Sequence, residues 1–350
     1  MKLTQNAILL LKDLIQIESF SKNEALTAQR IEKWFKNYNI PYNMRDNNIW
    51  AVNKNYNHKK PTLLLNSHHD TVFPNEAYTR DPFKADIIDG KLFGLGSNDA
   101  GGSLVSLIAL FTHYYEYENP AYNLLMVASA EEEIAGKKSL RSLIPYLPKI
   151  DLAIIGEPTN MELAVAEKGL IVFDLSIKGT PSHAAHPNDD NPLMKISQVI
   201  EKIKNISFDK NSPLLGPVKI TLSQISAGNQ HNVVPSEVKM VLDVRVNEYY
   251  KNSEINNLIV NSLPCDVKAR SLHLESSSID DNHPLVIAGK KLGRSTYGSP
   301  TLSDQAALSC PSLKLGPGDS KRSHTADEFI YIHEIEEGIK LYIDLLKQIL

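Results

Sequence analysis

The sequence predicts an α/β fold with a mainly parallel β-sheet and flanking helices, into which an α+β ferredoxin-like domain is inserted. Strand-like and helix-like segments alternate over roughly the first 160 residues, the pattern changes near residue 168, and the alternation resumes after residue 280. At 350 residues the chain also exceeds one typical domain. We therefore expect one domain of residues 1–167 and 280–350 and an inserted domain of residues 168–279.

The first domain is expected to begin with an amphipathic helix. Ile8, Leu11, Leu14 and Ile15 recur at helical spacing, and charged residues interrupt the apolar run, so the segment is not a signal peptide. The segments that follow are predicted to alternate as strand TLLLN, helix SLVSLIALFTHYY, strand YNLLMVAS, helix KKSLRSLIPYL and strand LAIIG. This order predicts parallel strands connected by helices.

The inserted domain is predicted to have the order β-α-β-β-α-β. Its first strand, GLIVFDLSIKG, alternates apolar and polar residues, which is typical of a half-exposed strand. The rest is expected as a helix from about Pro192 to Ile206, strands VKITLSQI and EVKMVLDVRV, a helix near 251–262 and a weak strand near Val267 to Leu274.

Composition and charge exclude several classes of function. The net charge is -4 without a basic block, which excludes a nucleic-acid partner. No apolar stretch reaches membrane-spanning length, so no membrane partner is expected. Cys265 and Cys310 lie outside any CxxC motif, which argues against a thiolate zinc site and indicates a reducing, cytoplasmic location.

Polar residues follow three successive predicted strands. LLLN runs into His68 and Asp70, LLMVASA runs into the triplet Glu131–Glu133, and LAIIG is followed by Glu157. Ligands of open α/β sheets bind outside the carboxyl ends of the strands, so these groups are expected to converge there.

Two loop residues are further candidates. Asp99 in GLGSNDAGG precedes a predicted helix and alone would be interpreted as a cap or turn residue. His324 in KRSHTADEF would by itself be interpreted as a solvated loop histidine. Both become candidate site residues only because other polar groups are expected nearby.

So many carboxylates in one crevice would repel each other unless cations neutralise them. One histidine with two or three carboxylates suits Zn²⁺, and a bridging carboxylate would hold two metal ions roughly 3.5–4 Å apart. An all-oxygen Mg²⁺ or Ca²⁺ site is less favoured because it would leave His68 and His324 without a role.

With these residues in view, the chain resembles the two-zinc aminoacylase/carboxypeptidase family, which includes acetylornithine deacetylase, succinyl-diaminopimelate desuccinylase and glutamate carboxypeptidase. The resemblance covers nearly the whole chain. It rests on the order of His-x-Asp at His68, Gly-x-Gly-x-x-Asp-x-x-Gly around Asp99, the glutamate triplet, GEPT, SHAAHP, NVVPSEV…LDVR and GPG…HTADE. It implies a zinc-exopeptidase-like catalytic domain, with the insert as a lid and dimerisation domain.

The resemblance also implies site roles. It implies two Zn²⁺ per chain, for which Co²⁺ can substitute: His68 and Glu157 would bind one, Glu133 and His324 the other, and Asp99 would bridge them. Asp70 would accept the ring N–H of His68, and Glu132 would be the catalytic base. The triplet leaves a second register open, in which Glu131 is the base and Glu132 the ligand.

The insert would contribute to metal-assisted amide hydrolysis. The resemblance implies that His183 donates a hydrogen bond to the developing oxyanion in the partner's active site, which makes the chain a homodimer. Arg245 would clamp a substrate carboxylate with help from Asn232, although an arginine at a strand end is often a surface ion pair. His186 and His231 are better interpreted as surface histidines.

The overall likeness points to an enzyme nearest to acetylornithine deacetylase in arginine biosynthesis, acting on an N-acetyl or N-succinyl derivative of an amino acid such as ornithine or citrulline. The alternatives are succinyl-diaminopimelate desuccinylase, a dipeptidase or carboxypeptidase, and a non-catalytic metal-binding protein. A nucleotide-binding enzyme lacks support, since GLGSNDAGG has neither the GxGxxG spacing nor a P-loop lysine. Two departures from the family pattern, Ala100 and Leu95, bear on the subfamily and not on the metal ligands.

Overall fold

The computed structural model describes residues 2–350, which divide into two compact units. The first unit comprises the residues up to Val165 together with Ser278–Tyr297 and Ser303–Leu350. The second unit comprises Ala166–Ser277 and Gly298–Leu302. Each unit has a hydrophobic core of its own.

The helices and strands alternate along much of the chain. The α-helices of the described residues are α1 (Lys2–Ile15), α2 (Ala25–Asn37), α3 (Gly102–Tyr114), α4 (Leu140–Leu143), α5 (Ile196–Lys204), α6 (Asn252–Ser262), α7 (Pro284–Lys291) and α8 (Ile332–Leu346). The strands are β1 (Asn43–Arg45), β2 (Asn48–Val52), β3 (Thr62–His68), β4 (Ile87–Ile88), β5 (Lys91–Phe93), β6 (Asn123–Ser129), β7 (Leu152–Ile155), β8 (Leu163–Glu167), β9 (Gly169–Lys178), β10 (Ser182–His183), β11 (Lys219–Ala227), β12 (Val233–Val234), β13 (Glu237–Val246), β14 (Asp266–Ala269), β15 (Ser277–Ser278), β16 (Thr296–Ser299), β17 (Ser312–Lys314) and β18 (Phe329–Tyr331).

The first unit is built on a mixed sheet with the order β1-β2-β6-β3-β7-β17-β8-β15, in which β16 also pairs with β8. The central strands β6, β3, β7 and β17 are parallel to one another. Antiparallel strands flank them, β2 beside β6 and β8 beside β17. The predicted α/β fold with a mainly parallel sheet and flanking helices is confirmed.

The central strands are buried on both faces, as parallel strands between helices must be. All seven residues of β3 are buried. Leu63 and Leu65 belong to the core that contains residues of α1, α3 and α8, whereas Leu64 belongs to the core on the other face with residues of α4. A slip of one residue would exchange these faces, so the packing fixes the register with which β3 delivers His68 to the sheet edge.

The second unit has the strand and helix order β9, α5, β11, β13, α6 and β14, which is the predicted β-α-β-β-α-β order. Its sheet has the order β11-β13-β9-β14, and each of these pairs is antiparallel. Ile171, Phe173, Leu175 and Ile177 on β9 are all buried in the core of this unit, and the residues between them are partly or fully exposed.

Three predicted elements are shorter than expected. The segment KKSLRSLIPYL forms only α4 and a 3₁₀ turn at Ile144–Tyr146, since Pro145 has no backbone N–H to continue an α-helix. The helix expected from Pro192 begins with a 3₁₀ turn at Pro192–Lys195, and α5 starts at Ile196. The weak strand expected near Val267 to Leu274 ends at Ala269 as β14.

Candidate metal centre

Polar side chains of the first unit meet where its parallel strands end. His68 is the last residue of β3, the glutamate triplet follows β6, and Glu157 follows β7. Asp99 lies in an irregular turn, Ser97–Gly101, directly before α3, and its peptide bond to Ala100 is cis. His324 lies in the loop between β17 and β18 with a positive φ of 58°.

His68 is at the centre of one group of ligand atoms. Its Nε2 lies 3.3 Å from Oδ1 of Asp99 and 3.8 Å from Oε1 of Glu157. Oε2 of Glu132 is 4.0 Å away. The Nδ1 of the same ring lies 2.9 Å from the backbone oxygen of Asp70, to which it donates, so that Nε2 is directed at the carboxylates.

A second group lies around His324. Its Nε2 is 3.0 Å from Oε2 of Glu133 and 3.6 Å from Oδ2 of Asp99. The two carboxylate oxygens of Asp99 therefore face different histidines, Oδ1 toward His68 and Oδ2 toward His324. A carboxylate in this orientation can bridge two metal ions.

The donor set fits zinc. Two ligands of one tetrahedral zinc ion lie about 3.4 Å apart, given metal–ligand bonds of about 2.1 Å. In each of two sets of three residues the ligand atoms lie within 4.8 Å of one another, the sets being His68, Asp99 and Glu133, and His68, Glu132 and Glu157. Imidazole nitrogens and carboxylate oxygens are the ligands of catalytic zinc sites.

The electrostatics of the cluster favour the binding of cations. Burial raises the pKa of Glu157 to about 8 and also raises the pKa values of Glu132 and Glu133. The hydrogen bond with Glu133 raises the pKa of His324 to about 9. The carboxyl groups favour protonation, and the imidazoles beside them favour their charged form. Both shifts are expected where negative side chains are crowded together, and bound cations would neutralise that negative charge.

Burial and hydrogen-bonding partners have opposite effects on the pKa of His68, and the partners dominate. Burial would lower it, but the contacts with Asp70 and Asp99 hold it well above its ordinary value. For Asp99, burial would raise the pKa of the carboxyl group, and the contact with His68 holds it below its usual range. Each side chain thus favours the charged form of the other.

Asp70 does more than orient His68. Its Oδ1 is 3.5 Å from Nδ1 of His68, farther than its own backbone oxygen. Its carboxylate accepts hydrogen bonds from the backbone N–H of Glu132 at 3.1 Å, from that of Glu133 at 3.2 Å and from the hydroxyl of Ser21 at 2.7 Å. Asp70 therefore also holds the main chain of the glutamate triplet.

The three glutamates of the triplet point in different directions. Glu131 has a positive φ of 54°, and its Oε2 accepts a hydrogen bond from the backbone N–H of Lys138 at 3.1 Å. The carboxylate of Glu131 thus binds the backbone of the loop that follows it. The carboxylates of Glu132 and Glu133 lie in the cluster instead.

Two buried carboxylates next to the cluster were missed by the sequence reasoning. Glu328 accepts hydrogen bonds from the backbone N–H groups of Gly96, Asn98 and Asp99. Glu328 ends the HTADE motif, but nothing in the sequence indicated its partners, which lie some 230 residues earlier. Burial raises the pKa of Glu328 to about 8.

The second missed carboxylate is Asp304. It accepts a hydrogen bond from the hydroxyl of Ser129 at 2.6 Å, at the end of β6. With the amide of Asn66 in its hydrogen-bonding orientation, that side chain donates a second bond to the same oxygen at 3.1 Å. Burial raises the pKa of Asp304 to about 6. The segment TLSDQAAL carries no pattern from which this role could have been predicted.

The second unit carries the remaining predicted site residues. His183 is exposed, and β10 and β12 pair it with Val233, next to the exposed Asn232. The backbone N–H of Ala184 donates to the backbone oxygen of Asn232 at 2.9 Å. His186 and His231 are both exposed, and the ring of His186 lies 5.7 Å from that of His183.

Arg245 is not near His183. It pairs with Leu170 at the start of β9, whereas His183 lies beyond the end of that strand. Its guanidinium already binds Asp243 in a bidentate manner, with Nε to Oδ1 at 2.8 Å and Nη2 to Oδ2 at 3.0 Å. A substrate carboxylate would therefore have to bind Nη1 and the second N–H of Nη2, or displace Asp243.

Comparison with known proteins identifies the family of the chain. Residues 64–348 match the model of peptidase family M20/M25/M40. The chain belongs to this family. It is accordingly a zinc-dependent hydrolase that acts on amide bonds, as the sequence resemblance implied, and the dinuclear zinc of the family suits the cluster described above.

Relatives of this M20 protein have more than one named activity. It is 27% identical to a succinyl-diaminopimelate desuccinylase of Wolbachia pipientis subsp. Culex pipiens. The match covers 82% of this chain and 78% of that protein. Its fold matches the M20 family metallo-carboxypeptidase Sso-CP2 of Sulfolobus solfataricus, with a TM-score of 0.79, 17% identity and coverage of 97% of this chain and 98% of that chain.

A third similar protein is described as a dinuclear metal-binding peptidase of the M20 family, YXEP of Bacillus subtilis. The match has a TM-score of 0.72 and 16% identity, and covers 99% of this chain and 98% of that one. The particular likeness to acetylornithine deacetylase is not among these findings. Within residues 2–350 of the M20 protein, no helix is long and apolar enough to cross a membrane.

Proposed function

We propose that this M20 protein removes the N-acyl group from a small N-acyl amino acid, with N-succinyl-diaminopimelate as the first candidate substrate. The observation that carries the proposal is the two-histidine, four-carboxylate cluster at the ends of the parallel strands, supported by relatives named succinyl-diaminopimelate desuccinylase. N-acetylornithine and the N-acyl citrullines are the second candidates. The bacterial relatives support a cytoplasmic location.

The metal ligands are proposed as follows. His68 and Glu157 hold one zinc ion, Glu133 and His324 hold the other, and Asp99 bridges them. The 3.8 Å and 3.0 Å separations within the two pairs and the divided orientation of Asp99 support this set. Two zinc ions in this site would acidify a water molecule and polarise the acyl carbonyl.

Glu132 is proposed as the general base. Its carboxylate lies in the cluster without belonging to the pairs just assigned to the zinc ions, and burial raises its pKa, so that it takes up a proton readily. It would remove the proton from the attacking water and return it to the leaving amine. The involvement of the Glu131 carboxylate in its own loop supports this register over the one in which Glu131 is the base.

The second unit is proposed to supply the groups that bind the rest of the substrate. The N–H of His183 would donate to the oxygen on which negative charge develops, and Arg245 with Asn232 would hold the carboxylate of the amino acid. Arg245 lies opposite Leu170 at one end of the β9–β13 pair, which extends to Lys178, roughly 26 Å away at 3.3 Å per residue. His183 lies beyond that other end, in the separate pair of β10 and β12.

This separation supports a homodimer. A small N-acyl amino acid cannot span the roughly 26 Å of the β9–β13 pair, whose opposite ends carry the two residues, so we infer that one chain does not present both to the same substrate molecule. Either a second copy supplies one of them, or only one of them has a role in binding. We therefore propose a symmetric dimer in which His183 reaches the active site of the partner.

The proposed function is tested with the purified protein loaded with zinc or cobalt and a panel of substrates. N-succinyl-diaminopimelate, N-acetylornithine, N-acetylcitrulline, N-succinylcitrulline and two dipeptides are compared by kcat/KM. We expect the N-acyl amino acids to be cleaved at least tenfold better than the dipeptides. Cleavage of dipeptides alone would refute the proposal, and cleavage of N-acetylornithine alone would refute the first candidate substrate.

A further inference from the structure

The turn that carries Asp99 is held by one buried carboxylate from a distant part of the chain. Glu328 is 2% exposed. Its Oε2 accepts from the backbone N–H of Gly96 at 2.9 Å, and its Oε1 accepts from those of Asn98 at 2.8 Å and Asp99 at 2.9 Å. One side chain thus binds three backbone N–H groups within four consecutive residues.

This turn needs an anchor because glycines surround it. Gly94 has a φ of 140° and Gly96 a φ of 74°, and glycine leaves such backbone positions free to move. Asp99 itself has φ -118° and ψ 99°, outside the helical region that begins at α3. Without a fixed partner, the main chain at Asp99 would adopt several orientations, and its carboxylate would no longer face both histidines.

The path of the chain explains how Glu328 reaches the turn. It lies directly before β18, which pairs with β5 so that Phe329 is opposite Phe93. The backbone oxygen of Glu328 accepts a hydrogen bond from Gly94 at 2.9 Å. This pairing places the side chain of Glu328 alongside the residues that follow β5.

The same stretch of chain carries His324, four positions before Glu328. A second link runs from the turn to the loop ahead of His324, because Asn98 Oδ1 accepts from the backbone N–H of Asp319 at 3.0 Å. Asn98 Nδ2 donates to the backbone oxygen of Asp319 at 3.1 Å. The segment that delivers one histidine ligand is thus tied to the segment that delivers the bridging carboxylate.

We propose that Glu328 is a positioning residue of the metal centre: through three backbone hydrogen bonds it fixes Asp99 in the orientation in which one carboxylate oxygen faces each metal position. This inference rests on the proposed ligand roles of Asp99, His68 and His324. Glu328 itself is not among the proposed metal ligands, and its carboxylate is bound to the backbone of the turn. Its loss is expected to weaken the retention of the ions, since Asp99 would then bind one ion or alternate between the two.

The test compares Glu328→Gln with the wild-type protein and with Asp151→Asn. Glutamine replaces one acceptor oxygen by an amide group that cannot accept, so at least one of the three hydrogen bonds is lost. Asp151 also accepts a backbone hydrogen bond, from Thr62 at 3.0 Å, but at the opposite ends of β3 and β7 from the metal centre. It controls for the loss of any one carboxylate–backbone bond.

The readouts are zinc bound per chain during competition with a chelator and the absorption spectrum of the cobalt-loaded protein. We expect E328Q to lose one ion at a chelator concentration at least tenfold lower than the wild type and D151N require. We also expect its cobalt spectrum to change, while that of D151N does not. Equal retention of both ions and an unchanged spectrum in folded E328Q would overturn the inference.

A second variant covers a failure of E328Q to fold. Glu328→Asp keeps two acceptor oxygens on a shorter side chain and is measured in the same way. Selective loss of one ion from E328D supports the inference, and retention of both ions overturns it. If the wild-type protein itself binds no zinc or cobalt, the proposed function fails instead, so the two failures are distinguishable.

Discussion

Adjacent glutamates in this protein point in different directions because the backbone turns between them. The positive φ of Glu131 directs its carboxylate back to the N–H of Lys138, and the N–H groups of Glu132 and Glu133 are held by Asp70. The result is that two consecutive side chains enter one crowded cluster. Burial raises the pKa values of both side chains. This is consistent with the proposed roles of Glu132 as the base and Glu133 as a metal ligand.

Replacing Glu132 by glutamine should reduce kcat by about 10²–10⁴-fold, because the base that takes the proton from water is lost. Metal content, measured by elemental analysis, should stay close to that of the wild type, since Glu132 is not among the proposed ligands. Glu131→Gln is the matched control and should reduce kcat much less. The reverse ranking of the two variants would establish the other register.

Asp304 gives a pH-dependent prediction for the metal-free protein. Its pKa is about 6 in the folded state against 3.8 as the reference value, so the folded protein binds the proton more tightly. Stability from this group is present below about pH 4 and is lost as the pH rises toward 6. Asp304→Asn removes the buried charge and should raise the free energy of unfolding above pH 6 by up to about 3 kcal/mol.

Urea unfolding of chelator-treated protein from pH 4 to pH 8 measures this difference. The two proteins should be nearly equal at pH 4 and diverge as the pH rises, with the variant the more stable. A constant difference across this range would mean that the effect of the substitution does not come from the charge of Asp304.

Among the elements, the turn from Gly94 to Gly102 is closely packed. A Cβ atom at Gly101 would lie 2.3 Å from the backbone oxygen of Gly96 and 2.6 Å from Cδ1 of Leu11. One at Gly102 would lie 2.3 Å from Cδ1 of Ile330. The turn is therefore closely packed between α1, β18 and the start of α3. Its backbone determines the direction of the Asp99 side chain.

Gly101→Ala should therefore destabilise the protein by about 1–3 kcal/mol and weaken metal binding, because the backbone of the turn must shift. Gly293→Ala is a stringent control, since Gly293 has a positive φ of 79°, but a Cβ atom there would meet no atom within 4 Å beyond its chain neighbours. Thermal unfolding and zinc retention are measured for both. Tighter zinc binding by G101A than by G293A would contradict the role of the turn in metal binding.

The elements that the sequence predicted well are those with a strong local pattern. The buried strands β3, β6 and β7 and the apolar helix α3 stand out from their flanking turns, and the candidate residues at their ends were identified for that reason. Pro145 shortened a helix that the apolar spacing suggested. Glu328 and Asp304 could not be found, because their contacts with Asp99 and Ser129 join segments far apart in the chain.

At the scale of the whole molecule, the separation of His183 from Arg245 in the second unit leads to a test of the proposed dimer. If His183 acts in the partner's site, a mixture of Glu132→Gln and His183→Ala chains should regain activity. Each mixed dimer then has one complete site, so a random mixture should reach about a quarter of wild-type activity. Either variant alone should stay far below this value.

The control for this experiment mixes E132Q with His68→Ala. Glu132 and His68 lie 4.0 Å apart in the same cluster of one chain, so no complete site can form in this mixture. Activity is followed after joint refolding to allow exchange of chains. If the E132Q and H183A mixture gains no more than this control, His183 does not act across a dimer.

The two units have separate hydrophobic cores, and all the proposed metal ligands belong to the first. Each of the two zinc ions, at a hundredfold its dissociation constant, would stabilise that unit alone by about 2.7 kcal/mol. Calorimetry of the chelated protein should then show one endotherm displaced to lower temperature and a second left in place. Starvation for zinc would thus leave the metal-binding part of the enzyme easier for proteases to cleave than the insert.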